Sequence, residues 1–348
     1  MACVWLWSPD HINSVTDIIR ELGASNAVGG VNVSTASPRY GTKNIRFSSG
    51  IGINGNCTKF LPGSYSEFYF GSAAFWASTA TQSNFGFREN DTAHVIVRRN
   101  GTSGLLEAVT AAGVVGTGTT VINENEWHFV EVYCLIADSG GRIIVKLDQR
   151  FSSTDYEIDF TGDTKAVGTT GVVNRVHFIA DSGGGSNFRI TDLYFNDTTG
   201  DENNSWMGDM TVTTLYPNGA GDDTDFTPTP AVANYLNVDE TSTDEDSSYN
   251  ESPNEVDSRD LYTLTDTGVE VQAIFAVQVS VIARKQPAGP RGTRSLIKSG
   301  TVTVEGDDHI LLDNYTTQET VHDVDPNTGV AWNKAGVDAL QAGVKVQY

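Results

Sequence analysis

Three carboxylates in one short stretch have residue types and a spacing that could support catalysis. Glu157 and Asp159 alternate in a segment of strand-like composition, and Asp163 follows a Thr-Gly pair. Residues two apart on a strand share one face. Two carboxyl groups on one face can supply the acid and the base or nucleophile of glycoside hydrolysis. Residues 157–163 are therefore the candidate segment for hydrolytic chemistry.

This segment resembles the Glu-x-Asp-x-x-Glu motif of laminarinase-like glucanases, with two departures. The last acid is Asp163 rather than Glu, and it comes six residues after Glu157, about 20 Å away along a strand that rises ~3.3 Å per residue. A retaining glycosidase holds its two carboxyl groups about 5 to 5.5 Å apart. We therefore interpret the segment as a solvent-facing strand that ends in a turn, and we predict no catalytic residue.

The remaining polar clusters predict no metal or cofactor site. His128 lies in an apolar segment and is expected to be a packed, hydrogen-bonded core histidine. Acid clusters at 239–240 and 244–246 carry oxygen ligands suited to Ca²⁺ but lack the spaced pattern of a calcium loop, so solvated loops are expected. Glycine-rich pieces lack the lysine and the following helix of a nucleotide-binding loop.

Charge limits the partners that the chain can have. Its 348 residues hold 22 basic and 44 acidic residues, a net charge of -22, which disfavours binding to nucleic acid or to an anionic membrane surface. Neutral, cationic or protein partners are expected, with no membrane insertion, because no apolar run approaches the ~20 residues that cross a bilayer. Met1 to Asp10 contains no Lys or Arg, so no secretory signal is predicted. The three unclustered cysteines (Cys3, Cys57 and Cys134) are expected to be reduced thiols in or near cores.

Many short apolar stretches separated by turn residues predict an all-β protein with a few short helices. Apolar residues recur at helical spacing over Ile12–Leu22, with Asn13 or Ser14 as the cap, and over Lys334–Ala342, with Asn333 as the cap. The segments richest in β-branched and aromatic residues are predicted as strands: Phe68–Trp76, His94–Arg98, Trp127–Ile136, Ile143–Leu147, Arg175–Ile179 and Phe188–Phe195.

The pentapeptide Ala-Asp-Ser-Gly-Gly occurs at Ala137–Gly141 and at Ala180–Gly184, each time after an apolar strand. Its glycines suit tight turns, so two hairpins are predicted. A polar stretch at 196–205 then predicts a domain boundary, with one domain at 1–200 and a second at 206–348.

The second domain is predicted to be another β-sandwich. Apolar strands are expected at Met210–Tyr216, Val269–Arg284, Thr301–Val304, His309–Leu312 and Val344–Val346. The acidic segment 239–260 is expected to be a long solvated excursion. The basic segment Lys285–Arg294 is expected to be an exposed hairpin loop. Its charges are expected to be solvated by water, and the alternative is that they meet the acidic excursion across an interface between copies of the chain.

The first domain resembles the laminin-G-like, concanavalin-A-like jelly roll. A Trp-His strand, a strand that ends in Asp at a tight turn, and a last strand near the domain exit recur in that family in this order. The segments that carry the resemblance are 125–132, 144–148 and 188–195. It implies a lectin-like two-sheet sandwich.

The second domain looks like a module of tailed-bacteriophage structural proteins. The matching pieces occur in order along the chain: 214–219, 237–240, 259–262, 277–279, 325–332 and 338–344. The resemblance implies a virion protein assembled in a bacterial cytoplasm, with other virion proteins and copies of itself as partners. It implies no catalytic or ligand-binding residue.

Three hypotheses about function follow. The leading one is a non-enzymatic tail or fibre subunit that is exposed on the virion, forms a homo-oligomer and contacts host-surface glycan through the jelly roll. The alternative is a capsid decoration protein without a ligand. The third is a polysaccharide-degrading glucanase that uses Glu157 with Asp159 or Asp163.

Overall fold

The computed structural model describes residues 2–22, 30–50, 53–77, 83–148, 155–180, 187–253, 255–269, 271–286 and 289–348. The chain has an all-β fold, as predicted, and divides into two compact units at Met1–Val212 and Thr213–Tyr348. Residues 206–212, which the sequence analysis placed in the second domain, thus belong to the first. Among the described residues, no helix is long and apolar enough to span a bilayer.

The first unit contains fifteen described strands and one α-helix. The helix is α1 (Val15–Leu22), preceded by a 3-10 turn at Pro9–His11. The strands are β1 (Cys3–Trp7), β2 (Val31–Ser34), β3 (Asn44–Gly50), β4 (Ile53–Asn54), β5 (Asn56–Tyr65), β6 (Glu67–Trp76), β7 (Ser83–Glu89), β8 (Thr92–Arg99), β9 (Leu106–Thr110), β10 (Gly113–Thr117), β11 (Trp127–Leu135), β12 (Gly141–Leu147), β13 (Ile158–Gly162), β14 (Val173–Ala180) and β15 (Asn187–Asp197).

These strands form two antiparallel sheets that make a jelly-roll sandwich. One sheet has nine strands in the order β13-β12-β11-β6-β15-β3-β2, with β1 beside β15 and β4 beside β3. The other has six strands in the order β10-β9-β8-β7-β14-β5. Alternate residues of both sheets point inward and form one apolar core, in which Phe70 of the first sheet packs on Phe85 and Phe87 of the second.

Helix α1 is shorter than predicted but has the predicted cap. The Ser14 hydroxyl accepts the backbone N–H of Asp17 at 3.1 Å, and the Asp17 carboxylate accepts the N–H of Ser14 at 2.9 Å. This reciprocal pairing is a capping box. It starts the helix after Ser14, so residues 12–14 remain outside the helix.

One of the two predicted hairpins is confirmed. Strands β11 and β12 pair in register on either side of Ala137–Gly141, where Gly140 has a φ of +72°. The second prediction, Ala180–Gly184, lies mostly outside the described residues. Its flanking strands β14 and β15 belong to different sheets, so these two strands do not pair with each other as a hairpin.

The second unit contains ten described strands and a short α-helix, α2 (Lys334–Asp338), with 3-10 turns at Asn234–Asn237 and Glu245–Ser247. Its strands are β16 (Pro217–Thr224), β17 (Thr227–Thr229), β18 (Tyr249–Glu251), β19 (Arg259–Leu264), β20 (Val277–Ala283), β21 (Gly292–Ser299), β22 (Val302–Glu305), β23 (His309–Ile310), β24 (Thr316–His322) and β25 (Gln341–Val346).

The described strands of this unit form a six-stranded sheet and two small two-stranded sheets. The large sheet has the order β16-β19-β25-β21-β22, with β23 beside β21. The β20-β24 pair packs on it around Val279, Ile297 and Trp332. The result is a small sandwich with a thin apolar core.

Several predictions for the second unit need correction. The helix predicted at 334–342 ends at Asp338, because Gln341–Val346 forms the strand between β19 and β21. No strand forms at 210–216, whereas the glycine-rich Pro217–Thr224 does form one. The acidic excursion is not wholly solvated either, since it includes β18 and ends at Asp260, which is fully buried in β19.

Candidate functional site

The outer face of the nine-stranded sheet holds an unusual set of side chains at its centre. On β6 and β11, Phe68, Phe70, Val130 and Val132 point into the core. The alternate positions, including Tyr69, Glu131 and Tyr133, therefore lie on the outer face. In most solvent-facing sheets such positions are polar and exposed, but here an aromatic and partly buried surface has formed.

The burial arises because the end of the first unit crosses this face. Met207, Gly208 and Met210 are buried, and Trp206 packs on the sheet. We call residues 205–210 the covering segment. Hydrogen bonds fix its position, among them one in which the Gly208 N–H donates to Glu131 at 2.8 Å and one in which the Asn196 side chain donates to the Ser205 carbonyl at 3.1 Å.

Glu131 lies beneath the covering segment and is 1% exposed. Its Oε1 accepts from the Tyr194 hydroxyl and from Gly208, whereas its Oε2 has no hydrogen-bond partner among the described residues. Burial raises the pKa of Glu131, although the hydrogen bonds from Tyr194 and Gly208 oppose that effect. The neighbouring strand contributes Gly71, where an added Cβ would lie 2.0 Å from the Tyr194 ring. Glycine is therefore needed at this position to seat the tyrosine.

Lys146 on β12 stands directly opposite Glu131 in the sheet register and is also buried. Its Nζ lies 4.4 Å from the ring centroid of Trp206 and 5.8 Å from that of Tyr156. Burial lowers the pKa of Lys146, while the carboxylate of Glu131 opposes the shift. This cation–π contact holds the Trp206 ring from below.

Four partly exposed aromatic rings surround this cluster, and we call Tyr69, Tyr133, Tyr156 and Trp206 the aromatic platform. The ring centroid of Tyr69 is 4.9 Å from that of Tyr133 and 4.9 Å from that of Trp206. Tyr133 and Trp206 are 6.5 Å apart. The rings therefore form one continuous apolar surface that water reaches.

Polar groups border the platform. The Tyr133 hydroxyl donates to Glu67 at 2.6 Å, and burial together with this bond raises the pKa of Tyr133. Arg142 donates two hydrogen bonds to Asp159, at 3.0 and 2.9 Å. Aromatic faces beside fixed donors and acceptors suit ligands that have an apolar face and a polar edge, and a sugar ring is such a ligand.

The three carboxylates singled out in the sequence have separate partners. Glu157 accepts the backbone N–H groups of Thr119 at 2.8 Å and Thr120 at 3.0 Å, so it ties a loop to the start of β13. Partial burial raises the pKa of Glu157, but the bonds from Thr120 and Thr119 outweigh it and lower the pKa overall. A general acid needs the opposite shift.

Asp159 pairs with Arg142 at the border of the platform, and Asp163 accepts the N–H of Lys165 at 3.1 Å within its own turn. Sequence reasoning missed Glu131, Lys146 and Trp206. The sequence did contain a signal for this site, because the outward positions of the strand at 127–133 carry aromatic and acidic residues. The covering segment, in contrast, was interpreted as the start of the second domain.

His128 is hydrogen-bonded, as predicted, but it is partly exposed rather than a core residue. Its Nδ1 lies 2.7 Å from a carboxylate oxygen of Asp148, whose other oxygen accepts the N–H of Phe129 at 2.7 Å. Cys3, Cys57 and Cys134 are buried and form no disulfide within the described residues. Within the described ranges, no group of three His, Cys, Asp or Glu side chains is placed to hold a metal ion.

The basic and acidic segments of the second unit pair largely within the chain. Asp246 of the acidic segment accepts from Arg284 at 2.7 Å and from the Tyr315 hydroxyl at 3.0 Å. In the basic segment, Arg294 pairs with Glu305 and Asp308, and Lys285 lies 3.7 Å from Asp313. These charges do not need a second copy of the chain for compensation.

Comparisons with protein-family models and with curated proteins found no match. Solved structures share part of the fold. A GH131 β-glucanase catalytic domain from Podospora anserina matches 58% of this chain and 98% of its own, at 10% identity and a TM-score of 0.40. Lectin II from Ulex europaeus matches 55% of this chain and 97% of its own, at 10% identity and a TM-score of 0.38.

A sialidase matches 49% of this chain at 12% identity and a TM-score of 0.37, and this chain spans only 16% of its length. Likenesses this distant carry no functional argument. The assignment of a two-sheet jelly-roll sandwich therefore rests on the strand pairing of the chain itself.

Proposed function

We propose that the first unit is a glycan-contacting, non-enzymatic module and that the aromatic platform is its contact surface. The observation that carries the proposal is the contiguous set of partly exposed rings of Tyr69, Tyr133 and Trp206, with centroids 4.9 to 6.5 Å apart. An exposed apolar surface of this kind marks a contact site. The neighbouring Glu67, Arg142 and Asp159 supply the hydrogen-bonding groups that sugar hydroxyls need.

The ligand class follows from charge. The platform border holds Glu67, Asp159 and Arg142, and the chain as a whole carries a net charge of -22. A neutral saccharide meets no long-range repulsion from this field, whereas a polyanion does. We therefore propose a neutral surface glycan as the ligand of the platform.

A non-enzymatic role is supported by the arrangement of the carboxylates. Glu157 is engaged by Thr119 and Thr120, and Asp159 by Arg142. Glu131 lies beneath the covering segment, where a substrate does not reach it without displacement of that segment. Each acid thus has a structural task that accounts for its position.

The biological setting that we propose is a tailed-phage virion, with the chain as an exposed tail or fibre subunit. The support for this setting is the resemblance of the second domain to phage structural modules. Immunogold electron microscopy with antibody against the chain tests it on phage particles. Label on the tail or fibres supports the proposal, and label spread over the head favours the decoration protein instead.

The glycan proposal is tested with the full chain on an array of neutral oligosaccharides, comprising glucans, galactans and mannans. Trp206→Ala and Tyr133→Ala are compared with Tyr348→Ala, which removes a similarly exposed aromatic ring from the second unit. We expect retention by at least one saccharide, lost in the two platform variants and kept in the control. Equal retention of all variants would contradict the proposal.

A further inference from the structure

We propose that the outer face of the six-stranded sheet of the first unit contains a second binding site, for a carboxylate-bearing saccharide, with Arg88 and Arg175 as the groups that bind the carboxylate. This site lies on the opposite sheet from the aromatic platform. The inference does not depend on the proposed function of the platform.

The first observation is the sheet register. Arg88 on β7 stands directly opposite Arg175 on β14, and the next outward pair along these strands is Gly86 opposite His177. Like charges that face each other directly across strands destabilise a sheet. Two arginines in this arrangement therefore need an anion between them or near them.

The structure supplies one nearby anion, Asp91, whose charge acts on both arginines, but only Arg175 forms an ion pair with it. Arg175 donates to Asp91 at 2.7 Å, and its guanidinium stacks 4.7 Å from the Phe60 ring centroid, which fixes its direction. Arg88 has no hydrogen bond or ion pair to any described residue, and its Nε is shielded from solvent without a partner. Two arginines and one aspartate leave one positive charge uncompensated.

The neighbouring groups do not provide the missing charge. Glu89, next to Arg88, turns away and accepts the backbone N–H groups of Thr170 and Gly171. Further along the face, Arg98 already pairs with Glu107 at 2.9 Å. His177 is 8% exposed, and burial, followed by the charge of Arg88, lowers its pKa to about 4. It is therefore uncharged at neutral pH.

The outward position next to Arg88 and His177 carries no side chain. Gly86 has no side chain, and a Cβ added there would lie 3.5 Å from the Arg88 Nε and 3.6 Å from the His177 Cβ. A guanidinium fork matches a planar carboxylate through two parallel hydrogen bonds. Beside it, the Thr58 hydroxyl, 2.9 Å from the His177 Nδ1, offers a polar partner for sugar hydroxyls. A uronic acid combines these two features.

The test uses the full chain and sodium glucuronate, with glucose as the neutral comparator, at constant ionic strength. The His177 ring signals are followed by NMR, since this ring adjoins the site. We expect a saturable shift with millimolar glucuronate and none with glucose. Arg88→Gln is expected to weaken binding at least tenfold, and Arg98→Gln, an ion-paired arginine on the same face, is expected to leave it unchanged.

The ligand-free melting temperature separates binding from a structural role. Because Arg88 faces a like charge, Arg88→Gln is expected to keep or raise it, whereas an arginine needed for folding would lower it. If Arg88→Gln does not fold, Arg88→Lys retains the charge without the fork and is expected to bind several-fold more weakly than the wild type. Absence of a glucuronate shift in the wild type, an equal shift with glucose, or undiminished binding by Arg88→Gln would overturn the proposal.

Discussion

The two units bury their chain in different ways. In the first, phenylalanine and tryptophan rings from both sheets interlock, as Phe70 does with Phe85 and Phe87 at 5.3 and 5.4 Å. In the second, a described cluster of five buried residues has only partly buried apolar residues packed around it; the five are Val279, Ile297, Trp332, Val337 and Leu340. Polar networks supplement it, including Asp260 with Asn234 and Tyr262. Burial of apolar side chains contributes more stability per residue than such polar networks do. The first unit is therefore stable enough to keep partly exposed aromatic rings on its surface.

The largest expected effect comes from removing one ring from each core. Phe70→Ala and Trp332→Ala each delete a large buried side chain, at a cost of about 3 to 5 kcal/mol. The first unit is expected to keep a cooperative transition at a lower temperature. The second is expected to lose its transition, because Trp332 is the largest member of its thin core. Scanning calorimetry of the full chain measures both.

Each variant serves as the control for the other in this experiment. Phe70→Ala should leave the transition of the second unit in place, and Trp332→Ala should leave that of the first. A second unit that tolerates Trp332→Ala as well as the first tolerates Phe70→Ala would remove the contrast between the two cores.

The next effect concerns the buried charges beneath the covering segment. Glu131→Gln keeps the shape but removes the carboxylate opposite Lys146 in the sheet register, and leaving a buried charge without the opposite charge that offsets it costs about 3 kcal/mol. Glu131→Gln with Lys146→Met removes both charges and is expected to recover most of that loss. Urea unfolding of Glu131→Gln, Lys146→Met and the double variant completes the cycle. Additive losses would show that the two side chains do not interact.

A smaller effect is expected in the pH dependence of the free energy of unfolding of the second unit, which arises from its polar network. Burial raises the pKa of Asp260 above its ordinary 3.8, against the opposing bonds from Tyr262 and Asn234. Between those two pKa values the folded state binds more protons than the unfolded state, so this group lowers the free energy of unfolding as pH rises through that window.

Asp260→Asn is expected to remove this contribution and flatten the pH profile of the second unit from pH 3.8 upward. Denaturant unfolding at a series of pH values measures the difference between wild type and variant. The transition of the first unit provides the internal control. An unchanged slope would contradict the buried, proton-binding role of Asp260.

The smallest effect is expected at the border of the platform. Arg142 and Asp159 are paired but substantially exposed, and such pairs contribute less than about 1 kcal/mol. Arg142→Gln should therefore leave the melting temperature of the first unit nearly unchanged while weakening saccharide retention. A large loss of stability would mean that the pair is structural rather than available to a ligand.

Much of the fold of the first unit could be predicted because the local composition of its segments indicates strands. Segments such as 127–136 and 188–195 are dense in β-branched and aromatic residues, and the capped start of α1 follows from Ser14 and Asp17. The second unit was harder. Residues 339–342 have helical spacing, but pairing on both sides by β19 and β21 makes Gln341–Val346 a central strand. Tertiary contacts override local preference there.

The candidate site could not be predicted, because its members are far apart in sequence. Tyr69, Tyr133 and Trp206 come from two strands and from the covering segment. Which face of the sheet that segment covers depends on the whole sandwich, and the adjacent polar stretch at 196–205 suggested a boundary instead. The spacing of the carboxylates at 157–163 suggested a catalytic pair. In the structure, Glu157 and Asp163 instead hold loop backbone groups and Asp159 forms an ion pair.

The most direct test of the central claim is affinity electrophoresis of the wild type, Tyr133→Ala and Tyr348→Ala. The gels contain the neutral polysaccharide whose oligosaccharides retain the wild type most strongly on the array. The account predicts that the wild type and Tyr348→Ala are retarded equally and that Tyr133→Ala migrates as it does in a gel without polysaccharide. Equal retardation of Tyr133→Ala and the wild type, or no retardation of the wild type, would contradict the assignment of the aromatic platform as a glycan-binding surface.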